Sequence, residues 1–279
     1  MYRPLSAVVT AALTALTALT ALASAASASP RDVDNIAHRA GAAHAPENTI
    51  AACALARAEG ADMCEFDIQQ TKDHQLVLIH DETLDRTTDA EKIFPWRSPW
   101  RVSDFTLAEI QQLDAGSWFS SRYRGEGVPT LRQGLQAMSR SDIGLLLEIK
   151  HSPRNPDIDK HVAAELLEAR TSWSDERLAL QAFDWRSMRT FHNLLPHLPV
   201  ALLGKPAINR LAEVAGYVNG VNLPYAGLTA QYVKEAHEQG LRVYTGTTNK
   251  PAVIRRLISY GVDGIVTDKP GHLAMVAGR

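Results

Sequence analysis

The sequence predicts an α/β chain closed into a (β/α)8, or TIM-type, barrel. Short apolar runs alternate with helical patterns from Val33 onward, and about eight such units imply a parallel sheet that closes on itself. Residues 143–149 are apolar almost throughout, as a strand covered on both faces must be. The length, 279 residues, suits one such domain.

In chain order, 33–37 reads as the first strand and 48–59 as a helix, with Gly60 as its stop. Residues 61–68 and 75–79 read as the second and third strands. The apolar run 143–149 comes next, then a helix over 157–170, a strand over 178–181 and a helix over 185–195. Strands at 200–203, 218–222, 241–245 and 264–266 complete the set, with helices at 229–239 and 251–260 between the later ones.

One stretch interrupts this rhythm. About fifty residues, 81–130, carry Pro95, Pro99, Gly116, Gly125 and Gly127. A structureless loop of that length is out of place in a compact domain. It is expected to be an insertion after the third strand, on the face where barrel active sites lie, with a short helix near 107–113. Its aromatics, Trp96, Trp100, Trp118 and Phe119, call for something to pack on.

Residues 1–28 are expected to be an export signal rather than part of the fold. Arg3 is the sole charge there; a repeated Thr-Ala-Leu tract follows, and Ala26-Ser27-Ala28 fits a cleavage site. Ala23-Ser24-Ala25 is a second possible site. As an uncleaved anchor the tract is weakly apolar for a span of about 20 residues. The expected organisation is a signal at 1–28 and one barrel domain at 29–279, periplasmic or secreted, with no stable membrane anchor.

Net charge is −2, so no basic field points to nucleic acid. Cys53 and Cys64 form no Cys-x-x-Cys or Cys/His cluster, which argues against a thiolate zinc site. A disulfide between them is expected on geometry. Cys64 precedes Glu65, so if Glu65 faces inward, Cys64 faces the helix layer. Cys53 lies on the apolar face of the first helix, directly over it. An exported chain meets conditions in which such a pair closes.

Polar residues cluster at strand ends. His38-Arg39 follows strand one, and His80-Asp81 closes strand three. Glu65 and Asp67 lie two apart on strand two, so both carboxylates share one face. Glu148 and Lys150 repeat that spacing after the apolar run. Like charges placed together in a barrel mouth repel unless a cation holds them. Three carboxylates make an oxygen site for one hard divalent cation, Ca2+ or Mg2+. Two histidines beside it suit general acid–base work. Arg39 and Lys150 offer positive charge to an anionic oxygen such as phosphate. Together these residues suit metal-assisted phosphodiester cleavage.

The same residues carry a resemblance to the glycerophosphodiester phosphodiesterase family. His38-Arg39-Ala40 with Pro46-Glu47-Asn48-Thr49 resembles its H-R-G…P-E-N-T opening. Gly60-Ala61-Asp62 with Glu65 and Asp67 is similar to its second strand, and Leu76-Val77-Leu78-Ile79-His80-Asp81 to its third. Glu148-Ile149-Lys150 resembles its E-x-K strand, and Gly261 to Pro270 its closing strand. The resemblance implies a barrel and a reaction: cleavage of a glycerophosphodiester to sn-glycerol 3-phosphate and an alcohol. It implies Glu65, Asp67 and Glu148 as metal ligands, His38 and His80 as the acid–base pair, and Arg39 and Lys150 as phosphate holders. The implied partner is a small-molecule glycerophosphodiester.

Three positions depart from the family pattern. Ala40 replaces the Gly of H-R-G, Ala182 stands where relatives carry Ser, and Gly246 replaces the Trp of W-T-x-N. Metal and histidine chemistry should survive these changes, while the choice of alcohol group is open. A phospholipase-D-like enzyme acting on lysophospholipids uses similar chemistry. It would need an apolar landing surface, for which Phe94, Trp96 and Trp100 are the candidates. A protein that only captures phosphodiesters would have no use for two histidines beside three carboxylates.

Overall fold

The structure is a computed structural model that describes residues 33–169, Trp173 and 177–279. The expected signal at 1–28 lies outside the described residues.

Nine strands form: β1 (Asp34–Ala37), β2 (Met63–Gln70), β3 (Leu76–Leu78), β4 (Gly144–Ile149), β5 (Leu178–Ala182), β6 (Val200–Leu203), β7 (Gly220–Pro224), β8 (Arg242–Gly246) and β9 (Gly264–Thr267). Eight of them run parallel in the ring β1-β2-β4-β5-β6-β7-β8-β9, which closes where β1 pairs with β9. This is the TIM-type barrel.

The third strand differs from a barrel strand. β3 runs antiparallel to β2, pairing Ile68 with Leu78 and Gln70 with Leu76. Only residues 69–74 separate the two predicted strands, far short of the dozen or more that a parallel crossover needs. Thr71 accepts the backbone N–H of Gln75 on its hydroxyl and donates its own N–H to the Gln75 carbonyl, closing a tight turn. The inserted segment therefore grows from a hairpin on β2, the second barrel strand.

That segment is folded. Its small helices, α2 (Ala90–Ile93) and α3 (Leu107–Ile110), follow α1 (Ile50–Ala58) of the barrel. Val77, Leu84, Val102, Phe105, Ile110 and Val128 bury a satellite core. Phe94 and Trp100 pack against it, whereas Trp96 is 95% exposed. The three aromatics therefore do not form one apolar landing surface.

Outside the insertion the helices are α4 (Leu131–Met138), α5 (Ile158–Ala169), α6 (Trp185–Leu194), α7 (Leu211–Val214), α8 (Ala230–Glu238), α9 (Pro251–Tyr260) and α10 (Pro270–Ala277). Local signals set several ends. The Thr130 hydroxyl accepts the N–H of Gln133, whose side chain accepts the Thr130 N–H, a reciprocal cap that starts α4. Pro251 opens α9, and Gly261, at φ 79°, ends it. Among the described residues no helix is long and apolar enough to cross a membrane.

Strand alternation divides the barrel into two environments. Cys64, Phe66 and Ile68 face outward and are fully buried beneath the helices. Between them Glu65 and Asp67 face inward. Ile36, Leu146, Tyr244 and Val266 plug the barrel floor. Each large apolar side chain in these layers contributes roughly 1.5–3 kcal/mol. Their number outweighs the several kcal/mol per ion that burying the inward carboxylates costs.

Candidate active site

β2 and β4 lie side by side, with Asp67 in register with Glu148. Glu65, Asp67 and Glu148 are therefore neighbours at the barrel mouth, exposed by only 2%, 1% and 8%. One oxygen from each lies within 4.8 Å of the others. The Lys150 ammonium joins two of them, 2.8 Å from Asp67 and in contact with Glu148.

One cation cannot neutralise three buried acids. Burial, followed by the charges of Asp67 and Glu148, pushes the Glu65 carboxyl well above the ordinary carboxylate range. Burial also raises Glu148, against the pull of Lys150. For Asp67 burial is outweighed: Lys150, His80 and hydrogen bonds from Lys150 and Asn48 hold it below the ordinary value.

Neighbouring segments fix these carboxylates. The Arg39 N–H donates to Glu65 Oε2 at 2.7 Å. It can do so because Arg39, Ala40 and Gly41 all take positive φ (48°, 68° and 97°). Ala40 itself occupies the left-handed region, so Gly41 does not relieve it. Asn48 donates its amide to Asp67 Oδ2 at 2.8 Å and accepts the Asp67 N–H at 3.0 Å.

His38 and His80 line the same cavity, of about 220 Å3, with Glu65, Glu148 and Lys150. Each has its Nδ1 on a carboxylate: His38 on Asp268 at 2.7 Å, His80 on Asp81 at 2.7 Å. Each partner is itself held. Asn249 donates to Asp268 at 2.7 Å, and Arg86 Nε contacts Asp81. Hydrogen bonds from Arg86 and His80 outweigh burial and bring the Asp81 carboxyl down to about 2. Asp268 is likewise lowered, the contacts from His38 and Asn249 outweighing burial. A carboxylate on Nδ1 fixes the tautomer and leaves Nε2 to face the cavity.

Arg39 is placed differently from expectation. Its guanidinium turns to Glu47, 3.0 Å away, and among the described residues it is not part of the cavity lining. Glu47 also takes two hydrogen bonds from Arg86, at 2.9 and 2.7 Å. Arg39 is itself at positive φ, so its side chain leaves in a direction that sequence spacing does not reveal. Lys150 does line the cavity, with its ammonium shared between two carboxylates.

Cys53 and Cys64 are joined by a disulfide, Cα to Cα 5.8 Å, in the layer between α1 and β2. The supporting residues Glu47, Asn48, Asp81, Asn249 and Asp268 received no role from the sequence, although each adjoins or lies in a quoted motif. A carboxylate directly after His80 was the available signal.

Residues 38–272 match the glycerophosphoryl diester phosphodiesterase family. YhdW of Bacillus subtilis, itself provisionally named a glycerophosphodiester phosphodiesterase, is 38% identical over 85% of this chain and 95% of its own. A glycerophosphodiester phosphodiesterase of Caldanaerobacter subterraneus is 35% identical over the same shares of each. An Oleispira antarctica phosphodiesterase, solved with the product sn-glycerol-3-phosphate, superposes with TM-score 0.76 at 27% identity, covering 88% of this chain and 96% of that one. With the fold, the carboxylate cluster and this match across nearly all described residues, the chain belongs to the glycerophosphoryl diester phosphodiesterase family and is a phosphoric diester hydrolase.

Proposed function

We propose that the chain hydrolyses glycerophosphodiesters to sn-glycerol 3-phosphate and an alcohol, with one divalent cation and His38 and His80 as acid and base. One observation carries this reading: three buried carboxylates and two carboxylate-tethered histidines share a single small cavity. The product held by the Oleispira relative supports the glycerol assignment.

The donor set fits a hard cation. All three groups offer oxygen, two of them resist ionisation without more positive charge, and the Lys150 ammonium already sits between Asp67 and Glu148. Glu65, Asp67 and Glu148 would hold Ca2+ or Mg2+. Bound there, the ion supplies charge neutralisation and polarises a phosphoryl oxygen. Lys150 adds a fixed positive charge at the cavity wall. One histidine Nε2 takes a proton from the attacking oxygen, and the other gives one to the leaving alcohol. Arg39 works through its backbone N–H on Glu65, while its side chain tethers Glu47. We further propose that residues 1–28 are an export signal and that the enzyme works in the periplasm or outside the cell. The Arg3 and apolar-tract pattern supports this, as does a disulfide suited to an oxidising compartment.

The test is turnover of glycerophosphocholine against a lysophospholipid, with chelator and then with Ca2+ or Mg2+ added back. Activity should vanish in chelator, return with the ion and favour glycerophosphocholine. Glu65→Gln should fall by orders of magnitude, and His38→Ala and His80→Ala by about 10²–10⁴ each. Full activity in excess EDTA would refute the metal, and preference for the lysophospholipid would refute the substrate.

A further inference from the structure

The cavity has two unlike halves. The strands from β1 to β4 bring His38, Glu65, His80, Glu148 and Lys150 to one side. The strands from β5 to β9 bring no charged side chain to the other: its wall is largely apolar, including Phe183, Leu203 and Val266. Two amides interrupt that wall. Gln181 on β5 is 2% exposed and Asn222 on β7 is 6% exposed. Asn222 donates to Gln181 Oε1 at 2.8 Å, across β6. On the intervening strand β6, Ala201 is in register with Gln181 and adds little bulk beside it.

That single bond leaves the pair incomplete. Gln181 Nε2 keeps its donors and Asn222 Oδ1 its acceptor lone pairs, with no protein partner for either among the described residues. Exchanging O and N in both amides only swaps the roles, so one donor and one acceptor remain in either arrangement. Both side chains line the cavity, so this donor and this acceptor are offered to whatever fills it. A hydroxyl both donates and accepts, so it satisfies the two together. A quaternary ammonium can do neither. Gln181 is also in register with Glu148, which places the pair one strand from the carboxylate cluster.

We propose that Gln181 and Asn222 form a hydroxyl-reading subsite that takes the polyol side of the phosphoester and positions it against the charged half. The inference rests on the proposed phosphodiesterase reading and adds which wall receives the glycerol. These are positioning residues, not catalytic ones. The cationic or alcoholic leaving group is then directed toward solvent, away from this wall.

Calorimetry on the full chain, with Ca2+ or Mg2+ present, compares sn-glycerol 3-phosphate with n-propyl phosphate, which lacks both hydroxyls. The wild type should bind the glycerol ester roughly tenfold to hundredfold more tightly. Gln181→Met and Asn222→Leu should each erase most of that ratio while leaving propyl phosphate affinity within about threefold. A general packing defect would weaken both ligands alike. Equal affinity of the wild type for the two esters overturns the proposal without any variant. So does a variant that folds and keeps the preference. A hydroxyl preference in binding with no turnover of glycerophosphocholine would sink the catalytic reading and leave the subsite standing.

Discussion

Replacing Asp268 by Asn tests whether His38 works through one defined tautomer. Asp268 holds His38 Nδ1 on one oxygen and accepts Asn249 Nδ2 on the other, both at 2.7 Å. Asn249 cannot turn over. Its Oδ1 accepts the Thr267 hydroxyl at 2.8 Å and the Asp268 backbone N–H at 2.9 Å. An amide side chain at position 268 therefore meets a fixed donor on one side. To point its own NH2 at that donor would cost about 1–3 kcal/mol for the unsatisfied N–H groups, a population ratio of about fivefold or more. The carbonyl must face Asn249, and the NH2 must face His38. His38 Nδ1 then accepts, and the ring proton moves to Nε2, the atom turned to the cavity. As a base, His38 loses its lone pair there. As an acid, it loses the carboxylate that stabilises the imidazolium. The side chain keeps its shape, so folding should be little affected. We expect kcat at saturating cation to fall by about 10²–10⁴ in Asp268→Asn.

The same geometry supplies a rescue. Adding Asn249→Asp puts a carboxylate where the fixed donor was. The amide at position 268 then gives its NH2 to that carboxylate and returns its carbonyl to His38 Nδ1–H. The double variant should recover at least about tenfold over Asp268→Asn alone, although Asn249→Asp by itself sets two carboxylates face to face and should be impaired. Near-wild-type kcat in Asp268→Asn, or a double variant no faster than the single, would refute the tautomer argument.

Other outcomes follow from individual contacts. Asp81 titrates near 2 in the fold, below its ordinary value near 4, so its ion pair contributes stability above about pH 4 that is lost as pH falls toward 2; in Asp81→Asn the loss of stability between those values should be shallower in acid unfolding. Reducing the Cys53–Cys64 disulfide, which spans 11 residues, should cost roughly 2–3 kcal/mol, read as a lower Tm with dithiothreitol, and alkylation without reductant should add no label. Ala40→Gly should leave Tm unchanged or raise it, where an ordinary Ala→Gly change costs about 0.5–1 kcal/mol, because Ala40 sits at φ 68°. Gly246→Ala should lower Tm by several degrees, since a Cβ there would lie 2.6 Å from the Val266 carbonyl oxygen.

What can be read from the sequence is what depends on period and sign. Alternation on β2 places Glu65 and Asp67 inward and Cys64 outward, because a strand has only two faces. The apolar run ending in Glu148 and Lys150 locates β4 for the same reason. Direction and partner are harder. An apolar triplet such as Leu76–Leu78 reads alike in a parallel or an antiparallel strand, and only the short gap before it betrays the hairpin. Charge alone assigns Arg39 to phosphate, and nothing in the sequence shows that its own positive φ lets the guanidinium lie 3.0 Å from Glu47. Helix α4 escapes the apolar pattern although Thr130 and Gln133 spell its cap. The His38–Asp268 contact joins residues 230 apart, a pairing that no local pattern encodes.

A short seam of the barrel coincides with its chemistry. β1 has four residues and pairs with β2 at only two positions, Ile36 with Met63 and Ala37 with Cys64. Beyond them the ladder is continued by site residues. The Arg39 N–H reaches Glu65, and the Asn48 amide makes a two-bond bridge to Asp67 that mimics a strand pair. The disulfide then ties α1 to β2 from behind. On the other edge of β1, His38 is anchored to Asp268, just past β9. The contacts that complete the β1 seam are thus those that hold the first histidine and two of the three carboxylates. This explains how mutually repelling acids stay in place. Glu65 and Asp67 on β2 are held by β4 on one side and by the 38–49 segment on the other, so burial and then repulsion raise Glu65 without a soft loop to push open.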